Sequence, residues 1–394
     1  MLFIAVLPLQ FVMAQDSPSK IPVKKNIQQL DVIDIFHAIT KDKKPRADTN
    51  SVHASGLPAV GYSTATGFAA VISGEAAFYI DKHHAQDDKV SNMLTSVTYS
   101  QYSQIIFPIQ TSIWTKKDSY NIITDWRYLK YPSTTFGLGG HSNINDGYTI
   151  DFNYVKLHQS LLKNVAKNLF AGLGLYYDYF WNVREIGVPA GVVTDFQKYG
   201  LKNTEAASGI ALRLLYDSRI NQVNPSNGYY ANIVYRPNFT FMGSDNNWQS
   251  LLIEARKYIH PSRRSKNVLA FWSYNWLTVG GKPPYLMLPS TGWDDFYNTG
   301  RGYIQGRYRG RNMVYLESEY RFGISKNGLF GGVIFANAES FSEDLSRQLN
   351  FFAPAYGGGI RIKLNKFSGA NLCIDYGFGI EGSHGVSVNL GEVF

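Results

Sequence analysis

The sequence predicts an all-β protein, a sixteen-stranded antiparallel transmembrane β-barrel. Three observations carry that expectation. Aromatic residues make up 15% of the 394 residues and charged residues only 17%, with 27 Tyr and 36 Gly, which suits many strands joined by turns. From residue 57 to the last residue the pattern is strand, turn, strand, and several of the strands carry apolar side chains at every second position. The opposite face carries Gly, Asn, Asp, Ser and Thr, where a soluble sandwich would carry Lys and Glu. Tyr and Trp on the apolar face gather near strand ends, as in the aromatic girdle of a membrane barrel.

The elements follow in order. Met1 to Ala14 is almost wholly apolar and ends in Val12-Met13-Ala14, so it reads as a secretory leader cleaved before Gln15, although no Lys or Arg precedes it. Residues 15–56 form a short polar segment, expected in the periplasm. Within it Ile27, Leu30, Val32 or Ile33, Phe36 and Ile39 fall at helical spacing before the basic run Lys41 to Arg46, which contains Pro45. One amphipathic helix is expected there, and the segment reads as a tether; docking on the inner mouth of the barrel is the alternative. The barrel proper is 57–394. Its strands are expected at 57–64, 68–81, 90–101, 104–116, 119–131, 147–159, 168–182, 206–218, 228–242, 247–260, 266–278, 311–323, 329–340, 355–364, 370–380 and 384–394.

Three strands show the alternation well. Tyr148, Ile150, Phe152 and Tyr154 oppose Thr149, Asp151 and Asn153. Leu173, Leu175, Tyr177 and Tyr179 oppose Gly172, Gly174 and Asp178, and Leu372, Ile374, Tyr376 and Phe378 oppose Cys373, Asp375 and Gly377. In each, the apolar set is expected to face lipid. Long joins at 132–146, 183–205, 279–310 and 341–354 all fall on one side, which makes that side the outer one. Two joins fit less well: Lys82 to Lys89 is long for a periplasmic turn, and Tyr102-Ser103 is short for an outer loop.

Several classes are excluded. Outside the extreme N-terminus no run of 18 apolar residues exists, so no transmembrane helix is expected. Cys373 is the single cysteine, so no internal disulfide can form. The chain contains no Gly-x-Ser-x-Gly elbow and no His-Glu-x-x-His, and its eight histidines are scattered apart from His83-His84. No enzyme, cofactor or metal is expected. The net charge of +8 points to acidic lipid headgroups or to the protein's own interior carboxylates; no nucleic-acid motif accompanies it.

The stretch from Gly300 to Arg311 places four arginines and four glycines in twelve residues. The strand after it sets Val314, Leu316, Tyr320 and Phe322 on one face, and Tyr315, Glu317, Glu319 and Arg321 on the other. With these residues in view, 57–394 resembles the barrels of the BamA/TamA superfamily, the bacterial surface-antigen family. Arg301-Gly302-Tyr303 resembles the family's Arg-Gly-Phe/Tyr tip of the sixth outer loop, and Glu319-Tyr320-Arg321-Phe322 the acidic strand that follows it. Tyr216-Asp217-Ser218-Arg219 through Asn224-Pro225-Ser226-Asn227-Gly228 resembles the family's Asp-x-Arg…Pro-x-x-Gly periplasmic turn. The last strand, with Val386, Val388 and Leu390 on one face and Phe394 at its end, resembles the C-terminal insertion signal.

The resemblance implies a sixth loop held in the lumen by Arg301 against the inward carboxylates of Glu317 and Glu319, with the flanking glycines allowing close approach to the wall. Two departures stand out. Phe335-Ala336-Asn337-Ala338-Glu339 replaces Phe-x-Asp-x-Gly, so Asn337 stands where an aspartate is usual, and Glu339 is expected to supply the charge. The 42 residues from 15 to 56 are too few for a periplasmic POTRA domain. The implied location is the bacterial outer membrane, with outer-membrane lipids as neighbours and the barrel assembly machinery needed for insertion of the chain itself. The first strand contains Pro58 and Gly61, and the last Gly385 and Gly391, all poor ladder formers. A weak first/last seam assisting insertion or translocation of proteins or lipids is therefore the leading function. The alternatives are a membrane anchor for a separate periplasmic protein and a passive pore; arginines filling the lumen argue against the pore.

Overall fold

The computed structural model describes residues 29–32, 34–35, 53–81, 89–262, 264–342, 348–349, 351–366 and 368–394; the expected leader, most of the segment after it and the 82–88 join lie outside the described residues. The described chain forms one antiparallel sheet of seventeen strand segments. They are β1 (His53–Ser63), β2 (Gly67–Phe78), β3 (Ser91–Ser100), β4 (Ile105–Trp114), β5 (Tyr120–Lys130), β6 (Ser133–Thr135), β7 (Tyr148–Ala166), β8 (Leu169–Ile186) and β9 (Glu205–Asp217), then β10 (Gly228–Asn238), β11 (Trp248–Ile259), β12 (Val268–Gly281), β13 (Asn312–Gly323), β14 (Phe330–Phe341), β15 (Ala353–Lys363), β16 (Asn371–Phe378) and β17 (His384–Leu390). The three-residue β6 continues β5 past Pro132 and pairs with the same neighbour, β7, so the wall has 16 strands.

Each strand pairs with the next in the chain, and the wall curls into a nearly closed barrel. Its outer face is apolar: Ile72, Val97, Leu173, Leu175, Leu316, Ile334 and Ile360 are all more than half exposed. The alternate residues point inward, where Glu254, Glu317, Glu319, Arg321, Arg361 and Asp375 are buried. This inversion of the soluble pattern follows from lipid replacing water outside. The long joins lie at one end of the barrel and most tight turns at the other.

The first half of β7 departs from expectation. Ile150, Phe152 and Tyr154 are buried, and they face the interior rather than lipid. They pack with Leu129, Tyr131, Phe180 and the sixth-loop residues Tyr285 and Leu288. Trp293 from that loop lies 5.6 Å from Tyr131 and 6.2 Å from Phe152, ring to ring. These residues share one unbroken phase with Lys156, Ser160 and Leu162, all buried, so the whole even-numbered set of β7 faces inward, while the register shift between Asp151 and Asn153, opposite Asn182 with φ +54°, adds its extra residue to β8. A bulge there re-aims the side chains above it, which exposes Arg184 and buries Val183.

Two boundaries also differ. β7 runs to Ala166, beyond the expected 159, because the alternation persists through Leu161 (exposed), Leu162 (buried) and Val165 (exposed) to a tight turn at Asn168 with φ +60°. At the other end of the chain, β17 stops at Leu390 instead of reaching Phe394. Gly391, with φ +84°, turns the chain, and Val393 and Phe394 are buried inside the barrel.

Candidate functional site: the lumenal loop and the strand seam

The loop between β12 and β13, residues 282–311, crosses the lumen. Its tip is built on positive-φ glycines, Gly300 at +74° and Gly302 at +106°. A Cβ on Gly302 would lie 3.0 Å from the Phe378 carbonyl carbon and 3.0 Å from the Ala355 Cβ. One on Gly377 of β16 would lie 2.7 Å from the Gly302 nitrogen. Glycine on both sides is what lets the loop backbone touch the wall.

Arg301 is buried and points at that wall. Its guanidinium donates to Glu317 and Glu319 on β13 and to Asp375 Oδ2 on β16 at 2.7 Å, and it lies 3.8 Å over the Phe335 ring of β14. Asn337 Nδ2 donates to the Arg301 carbonyl at 2.9 Å, so the amide holds the loop backbone. Glu339 is placed elsewhere: its carboxylate accepts from Thr291 Oγ1 at 2.9 Å, at the base of the tip. The third carboxylate on Arg301 is thus Asp375, which the alternation had aimed inward but left without a partner. Gly359 makes room for it, since a Cβ there would sit 1.8 Å from Asp375 Oδ1. Tyr303 Oη donates to the Pro354 carbonyl at 2.6 Å and accepts from Ile380 N at 3.1 Å. Burial pushes its phenol up to about 12, so it remains a neutral donor.

Charge balance spreads from this tip. Arg361 pairs with Asp375 at 2.5 Å and with Glu392 at 2.8 Å, and Arg321 pairs with Glu319 at 2.6 Å. Such interleaved pairs are the arrangement in which several buried charges can be tolerated. Glu392 belongs to the inward tail, which is fixed along its length. Gly391 N donates to Asn371 O at 2.8 Å, Glu392 N to Val223 O at 2.9 Å, and Asn298 Nδ2 to Val393 O at 2.7 Å. Phe394 stacks on Trp272, with ring centroids 5.2 Å apart, and its backbone oxygen accepts from Arg321 at 3.0 Å. Phe394 is therefore a lumenal anchor and not part of the strand face formed by Val388 and Leu390, which are both exposed. Alternation could not reveal this, because Gly391 breaks the strand before Phe394.

The turn at 218–227 lies at the end of the barrel that carries most of the tight turns. Asp217 pairs with Arg219 at 3.0 Å, and Asn221 and Asn224 donate to Ser368 O and Gly369 O of the β15–β16 turn at 2.7 and 3.0 Å. The described part of the N-terminal segment sits beside that same turn. Asp31 Oδ2 accepts from Lys366 N at 2.9 Å, Asp34 pairs with Lys366 Nζ at 2.6 Å, and Leu30 N donates to Asn327 O at 3.1 Å. These residues are docked, where a tether was expected.

The seam lies between β1 and β17. Every other neighbouring pair of barrel strands shares a ladder, whereas here one backbone hydrogen bond crosses among the described residues, Thr64 N to Val386 O at 3.4 Å.

Fold and site together define a class: a sixteen-stranded barrel with an apolar exterior, an arginine-locked loop in its lumen and an unsealed seam. The chain is similar in structure to BamA from Haemophilus ducreyi lacking POTRA domains 1–3, at a TM-score of 0.56 and 14% identity over 87% of this chain and 70% of that one. It is also similar to CdiB from Acinetobacter baumannii and CdiB from Escherichia coli, each at a TM-score of 0.54 and 11% identity over 86% of this chain. It spans 65% and 61% of those two CdiB chains. No protein-family profile and no curated protein sequence matches it. At these identities the likeness speaks to the fold.

Proposed function

We propose that this protein is an outer-membrane barrel of the BamA/TamA type that assists insertion or translocation of proteins or lipids through the seam between β1 and β17. The observation that carries this is that, among the described residues, one backbone hydrogen bond crosses that junction. In hydrocarbon each unpaired backbone group costs several kcal/mol, so a barrel ordinarily closes every edge. An open edge is a template on which an incoming strand can pair. The lumenal carboxylates balance arginines in this proposal and catalyse nothing. Outer-membrane lipids are the immediate partners, and the barrel assembly machinery inserts the chain itself. The test is a disulfide across the seam from Tyr62→Cys and Val388→Cys. The locked protein is expected to fold, to keep its heat-modifiable mobility, and to lose its ability to support assembly of other barrels in proteoliposomes until reduced. Full activity in the oxidised state would sink the idea.

A second use is favoured by the docked N-terminal turn. Asp31 and Asp34 contact Lys366 in the β15–β16 turn, and in this reading that end of the barrel is the periplasmic mouth, where a separate periplasmic protein grips the segment. Pull-down with and without residues 15–50 tests that anchor function, and no partner in either case removes it.

A further inference from the structure

We propose that the sixth loop has a second lock on the wall opposite Arg301, made by Asp295 with Lys156 and Arg127, so that the loop is a strut fixed at both ends across the barrel. Counting β5 and β6 as one strand, eight steps around the sixteen-strand wall separate β5 from β14, so the two attachment sites face each other.

The second lock has three layers. Lys156 Nζ of β7 pairs with Asp295 Oδ1 at 2.8 Å and with Asp125 Oδ2 of β5 at 2.6 Å. Arg127 of β5 forks onto Asp125 at 2.6 and 2.9 Å and also donates to the Asp295 carbonyl. Its guanidinium lies 5.3 Å from the centre of the Tyr297 ring. Trp293 adds the apolar contact with Tyr131 and Phe152. The turn bearing these groups is rigid in itself, because Asp294 accepts from Phe296 N, Asn298 N and Thr299 N at 3.1, 2.8 and 2.7 Å. From Tyr297 to Arg301 is only four residues, so one short, stiff segment is pinned by a carboxylate on one wall and by a guanidinium on the other. Lys156 and Arg127 are buried, while the Asp295 side chain is 56% exposed. The wall is thus preformed, and the loop brings the accessible member of the pair.

In this arrangement Asp295 and Lys156 are positioning residues: they hold the segment from which Arg301 projects. The inference stands whether or not the seam opens. It is tested on the full chain carrying Thr299→Cys, a buried position within the strut, by the rate of labelling with a membrane-impermeant maleimide and by conductance of the purified protein in phospholipid bilayers; Cys373 is buried and serves as the internal blank. Asp295→Asn and Lys156→Met are each expected to raise labelling by about tenfold, as local release of the loop requires, and to add conductance steps. Lys156→Arg, which keeps the cation, is expected to retain the parent values. Arg184→Ala removes the partner of Asp151, a β7–β8 pair at 2.7 Å, without touching the loop, and is expected to change neither readout. Unchanged labelling and conductance in Asp295→Asn overturn the proposal. Release in Arg184→Ala also overturns it, by showing that any loosening of the wall suffices. Should Lys156→Met fail to fold, Asp295→Asn decides alone.

Discussion

The β7–β8 hairpin and the β17–β1 junction are built from the same kinds of residue, yet they differ in almost every physical respect. β7 and β8 have 19 and 18 residues, pair along nearly their whole length, and bury Ile150, Phe152 and Phe180 under the sixth loop. β17 has 7 residues, ends at a glycine turn and, among the described residues, is joined to the β1 side by one backbone hydrogen bond, from Thr64 just past the end of β1. Alternation alone does not seal a barrel. Length, register and interior packing do that, and the β17–β1 junction lacks the first two.

Hydrogen exchange should give the largest contrast. Amides of β1 and β17 that face the seam are expected to exchange on the order of a thousandfold faster than those in the middle of β7 and β8, since local opening ranges from almost free to the cost of global unfolding. Equal protection on the two sides would abolish the distinction. A matched pair of substitutions gives a smaller effect. A Cβ at Gly172 would lie 2.0 Å from the Leu161 carbonyl oxygen, whereas at Gly385 its nearest neighbour is the hydroxyl end of Thr64 at 2.6 Å, which can rotate away. Gly172→Val is expected to cost about 2 kcal/mol in urea unfolding, within the range for overpacked sites, and Gly385→Val well under half of that. A larger loss at Gly385 would mean that the seam is tighter than its single hydrogen bond implies. The smallest effect concerns the β15–β16 turn. Lys366→Ala should cost about 0.5–1 kcal/mol, as for partly exposed ion pairs, and should speed proteolytic removal of the residues before β1. If cleavage is unaffected, Asp31 and Asp34 are held by backbone contacts alone.

Much of this was legible in the sequence. Period-two alternation located the sixteen strands and most of their outer face. Arg301, Glu317 and Glu319 meet because the loop glycines and the inward alternation of β13 point to the same place. What stayed hidden has a common cause. Periodicity says which residues share a face, but not which face is the inner one, so Ile150 and Phe152 looked lipid-facing although they share their phase with the buried Lys156. Nor does it name partners far along the chain: Asp375 for Arg301, Asp295 for Lys156, Trp272 for Phe394. One usable signal was present in Asp125 and Arg127, two opposite charges on one face of an otherwise apolar strand, which in lipid can only point inward.

The strands flanking the seam carry a further consequence. A transmembrane β-strand needs about 9–11 residues to traverse the hydrocarbon layer, and β16 and β17 have 8 and 7. Beside them the bilayer has to thin or draw its headgroups inward, at a cost of fractions of a kcal/mol per ångström of mismatch. The acyl chains next to this stretch of wall are therefore compressed, and on the proposed function a cargo entering there would cross a shallower oily layer than it would beside the longer strands.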